Sequence, residues 1–255
     1  MLLTMDVGNT NIKFGLWVKG KMEYNWRVNT RLNSSGDELG MLVENFLRLQ
    51  GYALRDVEDL VVASVVLPMR PAIERLGTRY LGKPPIVVEA HTQTLMPVLY
   101  HNPREVGADR VVGALAAYRH FRTRTIVVDF GTATTFDCIS GKGEYLGGAI
   151  APGFRLSANA LFDKARRLPR LEQFYKPDRA VAMDTLNSLN AGMVIGYAGL
   201  VDGLAKRIVS EIGPAKVIAT GGLASLIADE ATLIEKIMPD LTMEGLKIIY
   251  DERAY

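Results

Sequence analysis

Short apolar runs separated by glycine-bearing turns open the chain, and the same arrangement returns near its middle. Leu2–Met5, Ile12–Val18 and Met22–Val28 are apolar or alternating, and Lys19-Gly20-Lys21 separates the last two. Runs this close together must pair antiparallel, so they predict a three-stranded meander. Asp37 to Gln50 places Leu39, Leu42, Val43, Phe46 and Leu47 on one helical face, with Gly51 where a helix C-cap belongs. Leu60–Val66 reads as a buried strand, Pro71–Tyr80 as a helix opened by proline, and Pro85–Glu89 as another strand. Val106–Phe121 is rich in Ala and Val and reads as helical.

The second half repeats the plan. Thr125–Asp129, Thr134–Ser140 and Glu144–Ile150 predict a second meander, with Gly141-Lys142-Gly143 as its second turn. Helical stretches follow, then the strand Lys216–Thr220, a Gly221-Gly222 turn, and helices towards the end. Asp163 to Met183, rich in Arg, Lys and Pro, reads as an exposed connection or flap. Internal similarity with α/β alternation in each half predicts an α/β protein of two duplicated lobes, each a mixed sheet with helices. The expected division is 1–117 and 118–255, with a cleft between the lobes.

Composition narrows the functional classes. A chain of 255 residues with 48% hydrophobic and 23% charged residues is that of an ordinary soluble globular protein. A net charge of +2 without a dense Lys/Arg block argues against nucleic acid and against an anionic membrane surface. The most apolar run, Leu60–Leu67, is too short to span a bilayer. The first residues have no basic, long apolar leader, and the expected location is cytoplasmic. The lone cysteine, Cys138, excludes an internal disulfide and reads as a buried thiol.

The chemistry gathers at the turns. Asp6-Val7-Gly8-Asn9-Thr10-Asn11 and Asp129-Phe130-Gly131-Thr132-Ala133-Thr134 each put an acid at the end of an apolar run and a glycine two residues on. A carboxylate there is costly without work or a partner, and glycine permits close backbone approach to a ligand. Asn, Thr and backbone N–H groups supply donors for phosphate oxygens. The duplicated pattern predicts a polyphosphate grip, with Asp6 holding Mg²⁺ directly or through waters. Lys13 reads either as a point charge reaching phosphate or as an exposed strand lysine. Thr132, Thr134 and Thr135 could all serve phosphate or a metal's water shell, although threonine also simply favours strands. Ala219-Thr220-Gly221-Gly222-Leu223 offers bare backbone as a third wall. Gly107-Ala108-Asp109-Arg110, delivered by the polar loop from Tyr100, puts a carboxylate and an arginine at a helix tip. These suit a general base and an anchor for an anionic substrate in phosphoryl transfer.

Other patterns carry less. Gly77 to Lys83 has Walker spacing, but Pro84 stands where Ser or Thr should hold magnesium, and no strand precedes it. His91, His101 and His120 lack metal-ligand spacing. Gly192, Gly196, Gly199 and Gly203 share one face of the predicted helix Thr185–Ile212, which intramolecular packing and a homodimer interface explain equally well.

These residues resemble type III pantothenate kinases, of the acetate-kinase, Hsp70 and actin superfamily. The resemblance runs along essentially the whole chain. Beyond the two turns it is carried by Asn102 to Arg110, by Gly147-Gly148-Ala149-Ile150-Ala151-Pro152-Gly153 and by Leu168-Pro169-Arg170. It implies duplicated ribonuclease-H-like lobes and ATP-dependent phosphorylation of pantothenate, the first step towards coenzyme A. It also implies Asp109 as general base, and Tyr100, Gly107, Ala108, Asp109 and Arg110 as pantothenate contacts. Asp6, Val7, Gly8, Asn9, Thr10, Asn11, Ile12, Lys13 and Thr132 would contact ATP, with Mg²⁺ near Asp6 and K⁺ or NH₄⁺ on Asp129. The family forms homodimers in which a partner threonine closes the pantothenate pocket, and Thr185 is the matching position. The family pattern Gly-Lys-Asn-Thr is replaced by Ala182-Met183-Asp184-Thr185, which sets an added negative charge beside that contact. Two rivals share the scaffold. A non-catalytic ATP-binding regulator would have no need of Asp109 and Arg110, and another small-molecule kinase or a phosphatase would differ in acceptor.

Overall fold

The structure, a computed structural model, describes residues 1–165 and 167–253. It divides into two compact units. One takes Met1–Met96, His101–Ala116 and the chain from Thr242, the other Pro97–Tyr100 and Ala117–Leu241.

In the first unit β1 (Leu2–Val7), β2 (Asn11–Val18) and β3 (Lys21–Asn29) form the expected meander, followed by α1 (Gly36–Leu49) and β4 (Asp59–Ser64). Then come α2 (Arg70–Arg75), β5 (Ile86–Val88) and α3 (Ala108–Phe121), whose last turn belongs to the second unit. The sheet order is β3-β2-β1-β4-β5. The β1–β2 and β2–β3 pairs are antiparallel, and β1–β4 and β4–β5 are parallel. α1 starts where Ser35 and Glu38 form a reciprocal capping box, and Gly51 follows it at φ +81°. The predicted helix Pro71–Tyr80 is α2 continued by a π-helical turn at Leu76–Tyr80. Its apolar face, with Leu39, Val43 and Leu47 of α1, covers Leu3, Met5, Phe14 and Val62 on one side of the sheet. On the other side the buried Thr4 hydroxyl donates to the Gly15 carbonyl and accepts from Trp17 Nε1.

The second unit carries β6 (Thr125–Phe130), β7 (Ala133–Ile139), β8 (Tyr145–Pro152), α4 (Phe154–Lys164) and α5 (Thr185–Ile212). It ends with β9 (Lys216–Gly221), α6 (Ala224–Ala228) and β10 (Lys236–Ile237), and α7 (Leu241–Arg253) returns to the first unit. Read as β8-β7-β6-β9-β10, this sheet repeats the first one pairing for pairing. Ile126, Val128, Phe136, Cys138 and Ala219 form its core face with Val194, Val201 and Ala205 of α5. Cys138 is buried, as expected.

Beyond the end of α4, the described residues of the stretch expected to be an exposed connection or flap carry no helix or strand, but they are anchored. Phe174 packs edge-on against Phe154 at 4.7 Å between ring centres. The buried Asn190 side chain accepts from the Tyr175 amide at 3.1 Å and donates to its carbonyl at 2.6 Å. Gly77 of the Walker-like string is buried, with Pro85 where a Cβ would point, so that string is a packing feature.

Candidate active site

The first turn joins β1 to β2 through Gly8–Asn11. Gly8 N–H donates to the Asn11 carbonyl at 3.0 Å, and the Thr30 hydroxyl donates to the Gly8 carbonyl at 2.6 Å. Asn9 and Thr10 are exposed, whereas the Val7 and Ile12 side chains are buried and leave only backbone to a ligand. Asp6, one residue before the end of β1, stands directly across from Lys13 in the antiparallel register.

The second turn is one residue shorter. Phe130↔Thr134 closes Gly131–Ala133, where Val7↔Ile12 closes Gly8–Asn11. Asp129 faces Thr135 across β7 and Thr220 across β9, so a hydroxyl stands where the first copy has the Lys13 ammonium. The three threonines separate by direction. Thr132 is exposed at the turn. Thr134 is fully buried and bonds Tyr197 Oη of α5 at 2.9 Å, while Tyr197 Oη donates to the Pro152 carbonyl. Burial raises the Tyr197 pKa, partly opposed by the Thr134 bond. Thr135 donates to Asp137 Oδ2 at 3.0 Å. Of the three, Thr132 is the exposed one, and Thr134 belongs to the packing of α5.

Two glycines hold this turn in place by what they lack. A Cβ on Gly153 would overlap the Thr132 carbonyl, and one on Gly221 would overlap Asp129 Oδ1. Gly221 also sits at φ +94°, a left-handed conformation that favours glycine. The third glycine element expected from sequence thus lies against Asp129.

In the first unit, Asn102 to Glu105 form a short 3₁₀ turn. The Asn102 side chain accepts from the Arg104 amide and donates to Glu105 Oε1. The chain then enters α3, with Ala108 buried and Asp109 and Arg110 half-buried in its first turn. Asp109 Oδ1 accepts from the Arg110 amide at 2.9 Å and lies 2.5 Å from where a Gly107 Cβ would stand. The same Cβ position is 3.3 Å from Val65 Cγ1, and the Val65 amide donates to the Val7 carbonyl. The α3 tip is therefore seated at the C-terminal ends of β1 and β4, next in sequence to Asp6, where open α/β sheets bind ligands.

Tyr100 belongs to the second unit. Its ring lies 3.4 Å from the Cβ position of Gly147, which takes φ +113°. The preceding residues run beside β8, with Tyr145 N–H donating to the Pro97 carbonyl and Leu99 N–H to the Tyr145 carbonyl, both at 2.8 Å. Thr185 is the exposed first residue of α5. The neighbouring Asp184, where the sequence departs from the family pattern, is the helix N-cap. Bonds from the Asn187 amide and then its side chain hold its carboxyl below the usual range.

Among the described residues no three His, Cys, Asp or Glu side chains cluster as a protein-only metal site. Magnesium at a phosphate turn would need only one carboxylate, because the ion keeps waters and takes phosphate oxygens. Asp129, with two threonines across from it in the sheet, supplies an all-oxygen set suited to a monovalent cation. No described helix is long and apolar enough to cross a membrane.

Two five-stranded mixed sheets of identical topology, each with an acid-and-glycine turn, define the duplicated ribonuclease-H-like fold of actin-like ATPases and their kinase relatives. A ROK family glucokinase from Streptomyces griseus, solved with glucose and AMPPNP, has this fold. It aligns with a TM-score of 0.57 at 15% identity over 100% of this chain and 99% of its own. Sequence narrows the class. The family model for type III pantothenate kinase matches residues 2–207. The type III pantothenate kinase of Syntrophotalea carbinolica is 53% identical over 251 residues, 98% of each chain. That of Syntrophobacter fumaroxidans is 48% identical over 252 residues, again 98% of each. The chain belongs to the type III pantothenate kinase family.

Proposed function

We propose that this protein transfers the γ-phosphoryl group of ATP to the primary hydroxyl of pantothenate, the first step towards coenzyme A. The observation that carries the reading is Asp109 at the tip of α3, in the space left by Gly107 and beside the strand ends that lead into the Asp6 turn. The pantothenate oxygen forms a bond to the γ-phosphorus as the bond to the β,γ-bridging oxygen breaks. ADP leaves with the electron pair, and the hydroxyl proton passes to Asp109. Arg110 holds the substrate carboxylate, Gly107, Ala108 and Tyr100 contact pantothenate, and Thr185 closes the pocket of a partner copy. Asp6 to Lys13 and Thr132 bind ATP through backbone N–H groups, Asn and Thr side chains, and the Lys13 charge.

Asp6 would hold Mg²⁺, directly or through water, and Asp129 would hold K⁺ or NH₄⁺. Bound there, the two ions supply positive charge to the phosphate oxygens. A cytoplasmic setting accords with the single buried thiol. A homodimer accords with the glycine face of α5. At Gly192, Gly196, Gly199 and Gly203 nothing among the described residues lies within 4 Å of an added Cβ, the helix's own nearby backbone aside. Close packing by the described residues of the same chain therefore does not call for those glycines, which leaves their face open to a second copy.

The test is ADP release from ATP with and without pantothenate, in K⁺ and then in Na⁺. Release that depends on pantothenate and is stronger in K⁺ is expected. Its absence in both salts overturns the assignment.

A further inference from the structure

Asp137 is 2% exposed, a buried carboxylate that the phosphoryl-transfer mechanism does not use. Such a group is costly unless its oxygens are bonded, and here both are. Oδ2 accepts from the Thr135 hydroxyl at 3.0 Å, and Oδ1 accepts from Tyr145 Oη at 2.8 Å. Tyr145 is itself fully buried. Thr135 and Asp137 lie two apart on β7 and share one face of the sheet with Asp129, which pairs with Thr135. Tyr145 opens β8, and its N–H and carbonyl are the groups that bond Pro97 and Leu99. Tyr100 follows immediately, its ring over Gly147.

A continuous hydrogen-bonded path thus runs from the partner of the cation-side acid to the residue before the substrate-side tyrosine. We propose that Asp137 and Tyr145 are positioning residues for pantothenate. The Asp137–Tyr145 bond fixes the start of β8, and through it the Pro97–Leu99 segment that presents Tyr100. The inference rests on Tyr100 contacting pantothenate, as proposed above. Gly147 and Gly148 fit this role, because a side chain at Gly148 would overlap the Phe136 carbonyl, and Gly147 holds a left-handed φ of +113° with the Tyr100 ring in contact distance of its Cβ position. Part of the family-specific glycine string therefore serves the tyrosine rather than the nucleotide.

Tyr145→Phe removes one oxygen and keeps the ring in its cavity. Its KM for pantothenate should rise about tenfold, as expected for loss of a bond to a buried charge, with kcat and the KM for ATP within about twofold of wild type. Asp137→Asn keeps the shape and the Tyr145 bond but removes the charge. It should shift the same constant by less, and it carries the test if Tyr145→Phe does not fold. Amide hydrogen exchange gives a readout independent of turnover. In Tyr145→Phe the Leu99 and Tyr145 amides should exchange faster, while those of β6 stay protected. Unchanged Leu99 protection overturns the proposal whether or not wild type turns over pantothenate. So does a parallel rise in both KM values, which marks general loosening of the sheet. Wild-type protein that is inactive with pantothenate would instead count against the function, leaving the exchange result to decide this inference.

Discussion

At the tip of α3 the Asp109 carboxylate lies 2.5 Å from where a methyl group on Gly107 would stand. An alanine there would be relieved by swinging the carboxylate away, since the far end of a side chain moves more easily than the backbone. Gly107→Ala should therefore fold normally and lose roughly 10²-fold in kcat, the scale of a misplaced catalytic group. Asp109→Asn should lose roughly 10²- to 10⁴-fold, the usual contribution of a general base, while ATP binding measured by calorimetry is retained. Because both changes act on one carboxylate, the double variant should be no slower than Asp109→Asn alone. Additive losses, or retained turnover in Asp109→Asn, would remove Asp109 as the base. The acid-and-glycine spacing marked Asp6 and Asp129 as candidates in the sequence, and the polar loop leading from Tyr100 to a helix tip marked Asp109. It did not sort Thr132 from Thr134, because a run of threonines in a strand does not say which hydroxyl meets a helix and which meets solvent. Asp137 was within reach of period-two counting from Thr135, but the Tyr145 bond that satisfies it depends on a second strand.

Elements were readable where local pattern and tertiary pairing agree. The meanders are visible because strands joined by such short turns have little choice of partner, and α1 is visible from its apolar face and flanking glycine. β10 was missed because two residues carry no period, and its pairing with β9 is made by the fold alone. The π-helical turn after α2 likewise answers to packing and not to propensity. α7 illustrates an element fixed from outside its own sequence. Tyr250 Oη donates to Asp59 Oδ2 of β4 at 2.8 Å. That bond, and then burial, push the tyrosine pKa up from 10.0 to about 12. A raised folded-state pKa means that the native state holds the proton more tightly than the unfolded chain. The stabilisation is complete below the unfolded value and is lost as pH rises through the folded one. Chemical denaturation midpoints should thus fall between pH 10 and about pH 12. Tyr250→Phe should flatten that part of the profile, and a slope unchanged in the variant would locate the titration elsewhere.

For the molecule as a whole, the unexplained cost is the glycine content of α5. Four glycines on one face of a 28-residue helix each forgo about 1 kcal/mol against alanine, and among the described residues nothing occupies the space a methyl group would take. An isolated chain would gain from Gly196→Ala. A chain whose α5 meets its copy across that face would lose close approach instead. Met183 is 93% exposed, and Val181 and Leu186 beside it are also open, so apolar surface continues past the start of the helix. We expect wild type to sediment as a dimer and Gly196→Leu to sediment as a monomer at the same concentration. Thr185 begins the same helix, so if it closes a partner's substrate site, as the family resemblance implies, dissociation should reach catalysis selectively. The KM for pantothenate should then rise in Gly196→Leu while the KM for ATP, whose proposed contacts lie on the two turns, stays near wild type. A monomeric wild type stabilised by Gly196→Ala, with both KM values unmoved, would leave the glycine face without a partner and Thr185 without a role.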